Sequence, residues 1–210
     1  KNALVGGSSK GIGLAIVKRL AKSGANVTLM ARSEALLNEI VVSLPTNKGQ
    51  IHGYLVVDFS DFNAFKIQMN TFFADNFIDI LINNTQGPSA GSAIEKGVDD
   101  YQTAFDLLFK CAVYTTSLAL PYMQKKRWGR IINVSSISVR EPLNYLALSN
   151  SIRSALVSWG KSLSIDVAKD NITVNTTLTG YFDTDRIAQL NSKKAEKMNI
   201  PADQVRKEME

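Results

Sequence analysis

The sequence predicts an α/β fold in which helices cover both faces of a parallel, doubly wound sheet. Short apolar runs alternate with stretches of helical periodicity along the 210 residues. The runs are too densely apolar for a sheet with one face in water, which indicates burial on both sides. Regular alternation of strands and helices is typical of parallel strands joined by right-handed crossovers. The sequence has no internal repeat and no linker, so we expect a single domain over residues 1–210.

The apolar runs define six predicted strands, at residues 3–5, 27–30, 53–57, 78–82, 130–134 and 172–175. The helical periods define five predicted helices, at residues 12–23, 33–43, 61–75, 99–126 and 145–169. Residues 186–210 are polar and helix-prone, and their pattern predicts no further strand.

The composition is that of a protein with a sizeable hydrophobic core, since 45% of the residues are hydrophobic and 20% are charged. No apolar run reaches the roughly 18 residues of a membrane span, so we expect no membrane partner. The first residues lead directly into a glycine loop, so we expect no secretory signal. The single cysteine, Cys111, fits a reducing compartment, and we expect a cytoplasmic protein.

The net charge of +5 raises the question of nucleic-acid binding. The densest basic segment, Lys-Lys-Arg-Trp-Gly-Arg at 125–130, follows a predicted helix, where cations favour the negative end of the helix dipole. Because the remaining charge is dispersed, we interpret this segment as a solvated helix end and expect no nucleic-acid partner. Neither Cys111 nor the one histidine, His52, has further potential metal ligands at a suitable spacing, so we expect no metal site.

A glycine-rich loop, Gly-Gly-Ser-Ser-Lys-Gly-Ile-Gly at 6–13, follows the first predicted strand and opens the first helix. Gly7 permits a tight turn, and Gly11 and Gly13 let the backbone approach a phosphate closely. The first N–H groups of the helix then face an anionic pyrophosphate. Because the loop stands between a strand and a helix, we interpret it as a dinucleotide-binding loop and not a plain turn.

The end of the second strand indicates which dinucleotide is bound. Proteins that bind NAD usually carry an acidic residue there, which holds the ribose hydroxyls. This chain has Arg32 and Ser33 instead, and Lys10 lies in the glycine loop. The two cations suit a 2′-phosphate. We therefore expect NADP as the cofactor, with NAD as the alternative if Arg32 is only a surface residue.

Five segments resemble, in order and at the proper spacing, the short-chain dehydrogenase/reductase family, and most closely its 3-oxoacyl-carrier-protein reductase-like members. They are residues 7–13, Asp58, Asn-Asn-Thr-Gln-Gly-Pro at 83–88, Asn-Val-Ser-Ser at 133–136, and residues 174–181. The resemblance covers nearly the whole chain. It implies a Rossmann fold and NADP-dependent hydride transfer to or from a small-molecule carbonyl or secondary alcohol, with a 3-oxoacyl thioester as one candidate.

The glycine loop and the resemblance together give the expected cofactor-binding residues: Gly7, Ser9, Lys10, Gly11, Ile12, Gly13, Arg32, Ser33, Asp58, Phe59, Asn84, Arg153, Gly180 and Thr184.

The expected catalytic residues depart from the family pattern. The family's Tyr-x-x-x-Lys begins thirteen residues after its serine, and counting from Ser136 leads to Ser149 and Arg153. The family's asparagine on the preceding helix corresponds to Leu108, and a family glycine corresponds to Gln86. Of the four catalytic positions, Ser136 alone keeps the family's residue type.

The substituted residues suggest altered roles. Ser149 and Arg153 are four residues apart and share a helix face. The pKa of a serine hydroxyl is far from the working pH, so Ser149 can hydrogen-bond a substrate oxygen but cannot easily replace tyrosine as an acid. Arg153 can hold ribose hydroxyls and stabilise developing negative charge.

Tyr145 is an alternative candidate for the acid. It lies one helical turn before Ser149 and on the same face if the helix already begins at residue 145. The other interpretation is that Tyr145 is an aromatic residue at the helix start that packs on a loop. Tyr181 is a second candidate for the relocated acid, and we expect it instead to pack over the nicotinamide. The catalytic candidates are Ser136, Ser149, Arg153 and Tyr145.

Two functions remain open at this stage: an oxidoreductase with an atypical site, and a catalytically inactive NADP(H)-binding protein with a structural or sensing role. The two long helices pair with their copies in related proteins, so we expect a homodimer or homotetramer. Apolar residues on these helices are expected to face outward: Leu108, Val113, Leu156 and Trp159.

The family resemblance also concerns the end of the chain. Residues 181–210 look like the helical substrate flap of the family. Family members add one more strand after the sixth, so we expect that the end of the fold is missing and that the sixth strand forms an open edge of the sheet.

Overall fold

The computed structural model describes residues 1–182, 184, 187–188, 191–192, 195–196, 200–201 and 204–205. The described residues contain six strands: β1 (Asn2–Gly6), β2 (Asn26–Ala31), β3 (Gly53–Val56), β4 (Ile80–Asn83), β5 (Gly129–Ser136) and β6 (Ile172–Thr179). All neighbouring strands are parallel, in the order β3-β2-β1-β4-β5-β6. The predicted doubly wound α/β fold is confirmed.

The described helices are α1 (Gly11–Lys22), α2 (Glu34–Ser43), α3 (Phe62–Asp75), α4 (Val98–Phe105), α5 (Cys111–Lys126) and α6 (Ala147–Val167). A π-helical turn, Asp106–Lys110, joins α4 to α5, and 3₁₀ turns follow β5 and α6 at Ile137–Val139 and Ala168–Asp170. None of the helices in the described residues is both long enough and apolar enough to span a membrane.

Several element boundaries differ from the sequence predictions, among them the start of β4 at Ile80 instead of residue 78. Strands β5 and β6 run further than their apolar residues, because backbone hydrogen bonds continue through polar residues as far as the pair Ser136 and Thr179. The predicted helix 99–126 is interrupted by the π-helical turn, and α6 begins at Ala147 instead of residue 145.

Two clusters of buried apolar side chains cover the two faces of the sheet. The two clusters are separate because successive side chains of a strand point to opposite faces of the sheet. One face carries Leu4, Leu81 and Ile131 beneath α3 and α5. The other carries Val5, Leu29 and Ile82 beneath α1 and α2.

Strand β6 is buried on one face only, although we expected both faces of the sheet to be covered. Ile172 and Val174 are buried, whereas Thr173, Asn175 and Thr177 are exposed. Among the described residues β6 pairs with β5 alone and lies at an edge of the sheet. The expected missing strand concerns residues 186–210, most of which lie outside the described residues.

Asp79 ties strands together at the amino end of the sheet. Its carboxylate accepts hydrogen bonds from the Asn2 N–H at 2.8 Å and from the Lys126 ammonium at 2.7 Å. Burial alone would raise the pKa of Asp79, but these two bonds and the charges of Lys126 and Lys1 lower it below its ordinary value. Two further cations of the basic segment are engaged within the chain: Arg127 pairs with Asp170 at 3.6 Å, and Arg130 donates to the Asn171 carbonyl oxygen at 3.0 Å.

Candidate functional site

The carboxyl ends of β1 and β4 border a crevice. These strands are neighbours at the point where the strand order reverses, so the loops that follow them turn toward opposite faces of the sheet. Ligands of doubly wound folds bind in such crevices. Asp79 and the basic segment lie at the other end of the sheet and do not contribute to this site.

The structure places the expected cofactor-binding residues on the loops at this carboxyl edge. They are Gly7, Ser9, Lys10, Gly11, Ile12 and Gly13 on the glycine loop and the start of α1; Arg32 and Ser33 after β2; Asp58 and Phe59 after β3; Asn84 after β4; and Gly180 and Thr184 after β6.

The glycine loop has a backbone that other residues would strain. Gly7 has φ +54° and Gly11 has φ +53°, in the left-handed region that favours glycine. A Cβ at Gly13 would collide with the carbonyl oxygen of Gly7, so this glycine lets α1 pack against the loop. The buried Ser8 hydroxyl accepts a hydrogen bond from the Met30 N–H at 2.8 Å and fixes the loop to β2.

The first turn of α1 is open toward the crevice. Lys10 precedes the helix and is exposed, and its side chain makes no capping hydrogen bond. The first turn contains no acidic residue. The N–H groups of this turn and the positive end of the helix dipole are therefore suited to an anion.

Asn84 holds the glycine loop against the loop that follows β4. Its Nδ2 group donates hydrogen bonds to the carbonyl oxygens of Gly6 at 3.0 Å and Gly7 at 3.4 Å. Asn84 therefore lies in the crevice, where its contacts within the chain support the shape of the loop.

The ends of β2 and β3 bring a cation and a carboxylate to the same side of the crevice. The Arg32 side chain is exposed, and its Nη2 group donates a hydrogen bond of 3.1 Å to Gln86 Oε1. The Asp58 carboxylate accepts two hydrogen bonds from Ser60, from its hydroxyl at 2.6 Å and its N–H at 2.9 Å. These two bonds, and less strongly the charge of Arg32, hold the pKa of Asp58 below its ordinary value.

A small cavity lies under the crevice. Its volume is about 20 Å³, enough for about one water molecule. It is lined by Gly6, Met30, Phe59, Ile82, Asn83, Asn84, Thr85, Leu108, Cys111, Ala112, Thr115, Val134, Arg153 and Leu156. The cavity thus connects the expected cofactor residues Phe59 and Asn84 with the expected catalytic residue Arg153. Burial raises the pKa of the Cys111 thiol to about 12, so the thiol stays protonated.

Arg153 and Ser149 form the pair that their spacing predicts. The half-buried Arg153 donates from Nε to Ser149 Oγ at 3.1 Å and from Nη1 to the Val134 carbonyl oxygen at 2.7 Å. Because the Ser149 oxygen accepts from the guanidinium, its O–H remains able to donate to a bound molecule.

Ser136 ends β5, two residues beyond Val134. Its hydroxyl oxygen accepts a hydrogen bond of 3.1 Å from the Ser138 N–H and caps the 3₁₀ turn that follows. In the contacts of the described residues, the Ser136 hydroxyl therefore stabilises the loop at the end of its own strand.

Tyr145 does not share the helical face of Ser149, because α6 begins only at Ala147. The backbone before the helix pairs with Gly91 instead: the Gly91 N–H donates to the Tyr145 carbonyl oxygen at 2.7 Å, and the Ala147 N–H donates to Gly91 O at 3.1 Å. Burial, with smaller contributions from the charge and hydrogen bond of Tyr181, raises the pKa of Tyr145 to about 12. Tyr181 therefore lies beside Tyr145.

The prediction that Leu108 and Leu156 face outward is wrong. Both are buried and line the cavity. Leu108 lies in the π-helical turn, whose extra residue changes the face that follows. Val113 and Trp159 are half-buried, and the Trp159 ring packs edge-on against Phe109 at 6.0 Å. The large apolar side chains that are exposed on α4 and α6 are Val98, Phe105 and Ile165.

Thr184, in the segment after β6, lies close to the glycine loop. A Cβ built on Gly11 would lie 3.5 Å from the Thr184 methyl group. Gly180 is exposed between β6 and Tyr181. Most of the expected flap, 181–210, lies outside the described residues. In the part of the chain that is described, no three His, Cys, Asp or Glu side chains are grouped to hold a metal ion.

In the sequence, Gln86 stands out only as a departure from the family pattern. A side chain at a position where the family has glycine indicated that Gln86 is unusual. No sequence pattern indicated that Gln86 bonds to Arg32, which is 54 residues away.

The chain is similar to known proteins along nearly its whole length. Residues 1–195 match the family model described as short chain dehydrogenase. An uncharacterized oxidoreductase of Staphylococcus epidermidis is 30% identical over 184 residues, which cover 88% of this chain and 79% of the relative. The 3-oxoacyl-[acyl-carrier-protein] reductase of Chlamydia pneumoniae is 33% identical over 196 residues, which cover 91% of this chain and 77% of the relative.

The structure is similar to the crystal structure of L-sorbose reductase from Gluconobacter frateurii in complex with NADPH and L-sorbose. The TM-score is 0.84 and the sequence identity is 31%, and the match covers 93% of this chain and 75% of that chain.

Proposed function

Because the chain belongs to the short-chain dehydrogenase family, we propose that it binds NADP(H) in the crevice and transfers a hydride between the nicotinamide and a carbonyl or secondary alcohol. The observation that carries the proposal is the arrangement of three features along one crevice. The open first turn of α1, the cation Arg32 and the Arg153–Ser149 pair all lie at the carboxyl edge of the sheet.

The choice of NADP(H) rests on charge. Arg32 and Lys10 are both exposed at the crevice, and Asp58 directs its carboxylate oxygen toward Ser60. A 2′-phosphate at the end of β2 would meet cations there, whereas the ribose hydroxyls of NAD would not find the carboxylate that usually holds them. The NADPH present in the similar L-sorbose reductase structure supports the same choice.

The residues of the chain have the following proposed roles. The cofactor, when bound, supplies or accepts the hydride. Arg153 orients Ser149, and the Ser149 O–H donates a hydrogen bond to the substrate oxygen. The positive charge of Arg153 stabilises the negative charge that develops on that oxygen. Tyr145 precedes α6 and does not share the helical face of Ser149, so we propose that solvent supplies the proton to the substrate oxygen.

The substrate oxygen would belong to a molecule with an apolar part. Large apolar side chains are exposed on the loops that follow β4, β5 and β6: Ile94, Ile137, Tyr181 and Phe182. These loops border the substrate side of the crevice, and a 3-oxoacyl thioester would place its acyl chain against such a rim. The relative from Chlamydia pneumoniae bears the name of a reductase of such substrates.

A catalytically inactive NADP(H)-binding protein is the second candidate. It is favoured by the substitution of serine and arginine for the family's tyrosine and lysine, and by the engagement of Ser136 in its own turn. Such a protein would bind the cofactor in the same crevice and have a structural or sensing role.

Turnover separates the two candidates. We expect the chain to consume NADPH with at least one member of a panel of ketones, quinones and 3-oxoacyl thioesters, and expect Ser149→Ala to slow that reaction. Tight NADPH binding without turnover of any panel member would favour the inactive cofactor-binding protein.

We further propose that the chain forms a homodimer or homotetramer through α4, α5 and α6. The exposed Val98, Phe105 and Ile165 on these helices give an apolar surface for such contact. A cytoplasmic location is proposed with it, since the single cysteine is a buried thiol.

A further inference from the structure

One side chain from the loop after β4 reaches across the mouth of the crevice. Gln86 follows β4 and Arg32 follows β2, and β1 lies between these strands in the sheet. The hydrogen bond of 3.1 Å from Arg32 Nη2 to Gln86 Oε1 therefore crosses the carboxyl end of β1, where the glycine loop begins. The bond joins the two sides of the crevice at its adenosine end.

Gln86 holds the Arg32 guanidinium without neutralising its charge. The amide oxygen is an uncharged acceptor, and the carboxylate of Asp58 is engaged with Ser60 through Oδ1. A guanidinium has five N–H donors in a planar fork. One hydrogen bond to Gln86 leaves donors for a phosphate, which arginine binds in a bidentate manner.

We infer that Gln86 is a positioning residue that fixes Arg32 for the 2′-phosphate and so contributes to the choice of NADP(H) over NAD(H). The inference rests on the proposed function. Both side chains are exposed, and an exposed arginine without a partner samples many rotamers. Immobilising such a side chain on binding weakens affinity by about 2- to 10-fold. A hydrogen bond that already restricts the guanidinium removes part of this cost.

The inferred role belongs to this chain's own side chain. The family resemblance gives glycine at this position, and glycine has no side chain that could contact Arg32. Gln86 is exposed and lies outside the buried core, so its replacement should leave the fold intact.

The test measures dissociation constants of the purified chain for NADPH and NADH. Gln86→Met keeps the length of the side chain and removes the acceptor. We expect this variant to weaken NADPH binding about 2- to 10-fold and to leave NADH binding unchanged. Gln86→Glu should weaken NADPH binding further, because a carboxylate would pair with Arg32 and repel the phosphate. The matched control is Gln102→Met, which removes an exposed glutamine of α4 that bonds to Asp106 one turn later and should change neither constant.

A double-mutant cycle with Arg32→Ala separates positioning from a general effect on the loop. In the Arg32→Ala background, Gln86→Met should change NADPH binding by less than about twofold. The inference is overturned if Gln86→Met leaves the ratio of the two constants unchanged while Arg32 still sets the preference. It is also overturned if Gln86→Met tightens NADPH binding, because Gln86 would then compete with the phosphate. A wild-type chain that binds neither cofactor, or both equally, overturns the proposed NADP(H) function and the inference with it.

Discussion

Arg153 donates a hydrogen bond of 2.7 Å to the carbonyl oxygen of Val134 and thereby fastens α6 to the carboxyl end of β5. The same guanidinium holds Ser149 through a second hydrogen bond of 3.1 Å. Arg153 thus places a cation at the cavity wall and holds two neighbouring groups at once, which its planar guanidinium can do with several N–H donors.

Replacing Arg153 should affect both cofactor binding and turnover. We expect Arg153→Ala to weaken NADPH binding by about tenfold or more, because it removes a charged hydrogen-bond donor from the crevice. Arg153→Lys should lose less, since it keeps the charge. Lys161→Ala, on the exposed face of the same helix, is the control and should behave as the wild type. Unchanged NADPH affinity in Arg153→Ala would show that Arg153 does not contact the cofactor.

Tyr145 should contribute little as an acid. Burial and then Tyr181 raise its pKa to about 12, and Tyr145 precedes α6, so it is not placed beside Ser149 to pass a proton to the substrate oxygen held there. We expect Tyr145→Phe to keep turnover within a few-fold of the wild type. In the absorbance titration of phenolate, Tyr181→Phe should lower the pKa of Tyr145, because it removes the charge and the hydrogen bond that raise it. Abolished turnover in Tyr145→Phe would identify Tyr145 as the relocated acid.

Asp79 should stabilise the fold and have no effect on the site. Asp79→Ala leaves the Asn2 N–H and the Lys126 ammonium without their acceptor, and we expect a loss of about 2 to 4 kcal/mol in the free energy of unfolding at pH 7. Asp75→Ala, at an exposed carboxylate, should cost less than about 0.5 kcal/mol.

The contribution of Asp79 should also depend on pH. Because the folded state lowers its pKa from the ordinary 3.8, the stabilisation is fully present above that value and is lost as pH falls through the folded pKa. The difference between wild type and Asp79→Ala in denaturant titrations should therefore shrink on acidification below about pH 4. A difference that stays constant into strong acid would contradict the ionised pair.

The exposed apolar side chains of α4 and α6 should support self-association. Sedimentation at micromolar concentration is expected to give a dimer or tetramer, and Phe105→Glu should shift it toward the monomer by placing a charge in the contact. Ile51→Glu, at a comparably apolar exposed position before β3, should leave the assembly unchanged. A strictly monomeric wild type would count against the proposed interface.

The sequence predicted the features that depend on local pattern. The glycine loop stands where its spacing placed it, because the strand–loop–helix context constrains its backbone. The contact between Ser149 and Arg153 follows from their separation of four residues on a helix.

Features that depend on distant partners were not predictable in this way. Helix α6 begins after Tyr145 because the backbone there pairs with Gly91, a residue with no sequence signal for that role. The inward direction of Leu108 depends on a π-helical turn, which apolar periodicity does not reveal. The bond between Arg32 and Gln86 required the strand order, since β1 separates the strands that carry them.

The most direct test of the account is a pair of equilibrium titrations of the wild-type chain with NADPH and NADH, repeated with Arg32→Ala. A charge-assisted bidentate contact to the 2′-phosphate predicts that NADPH binds at least about tenfold more tightly than NADH. Arg32→Ala should remove most of this difference by weakening NADPH binding alone. Equal affinities for the two cofactors, or tighter binding of NADH by the wild type, would contradict the account.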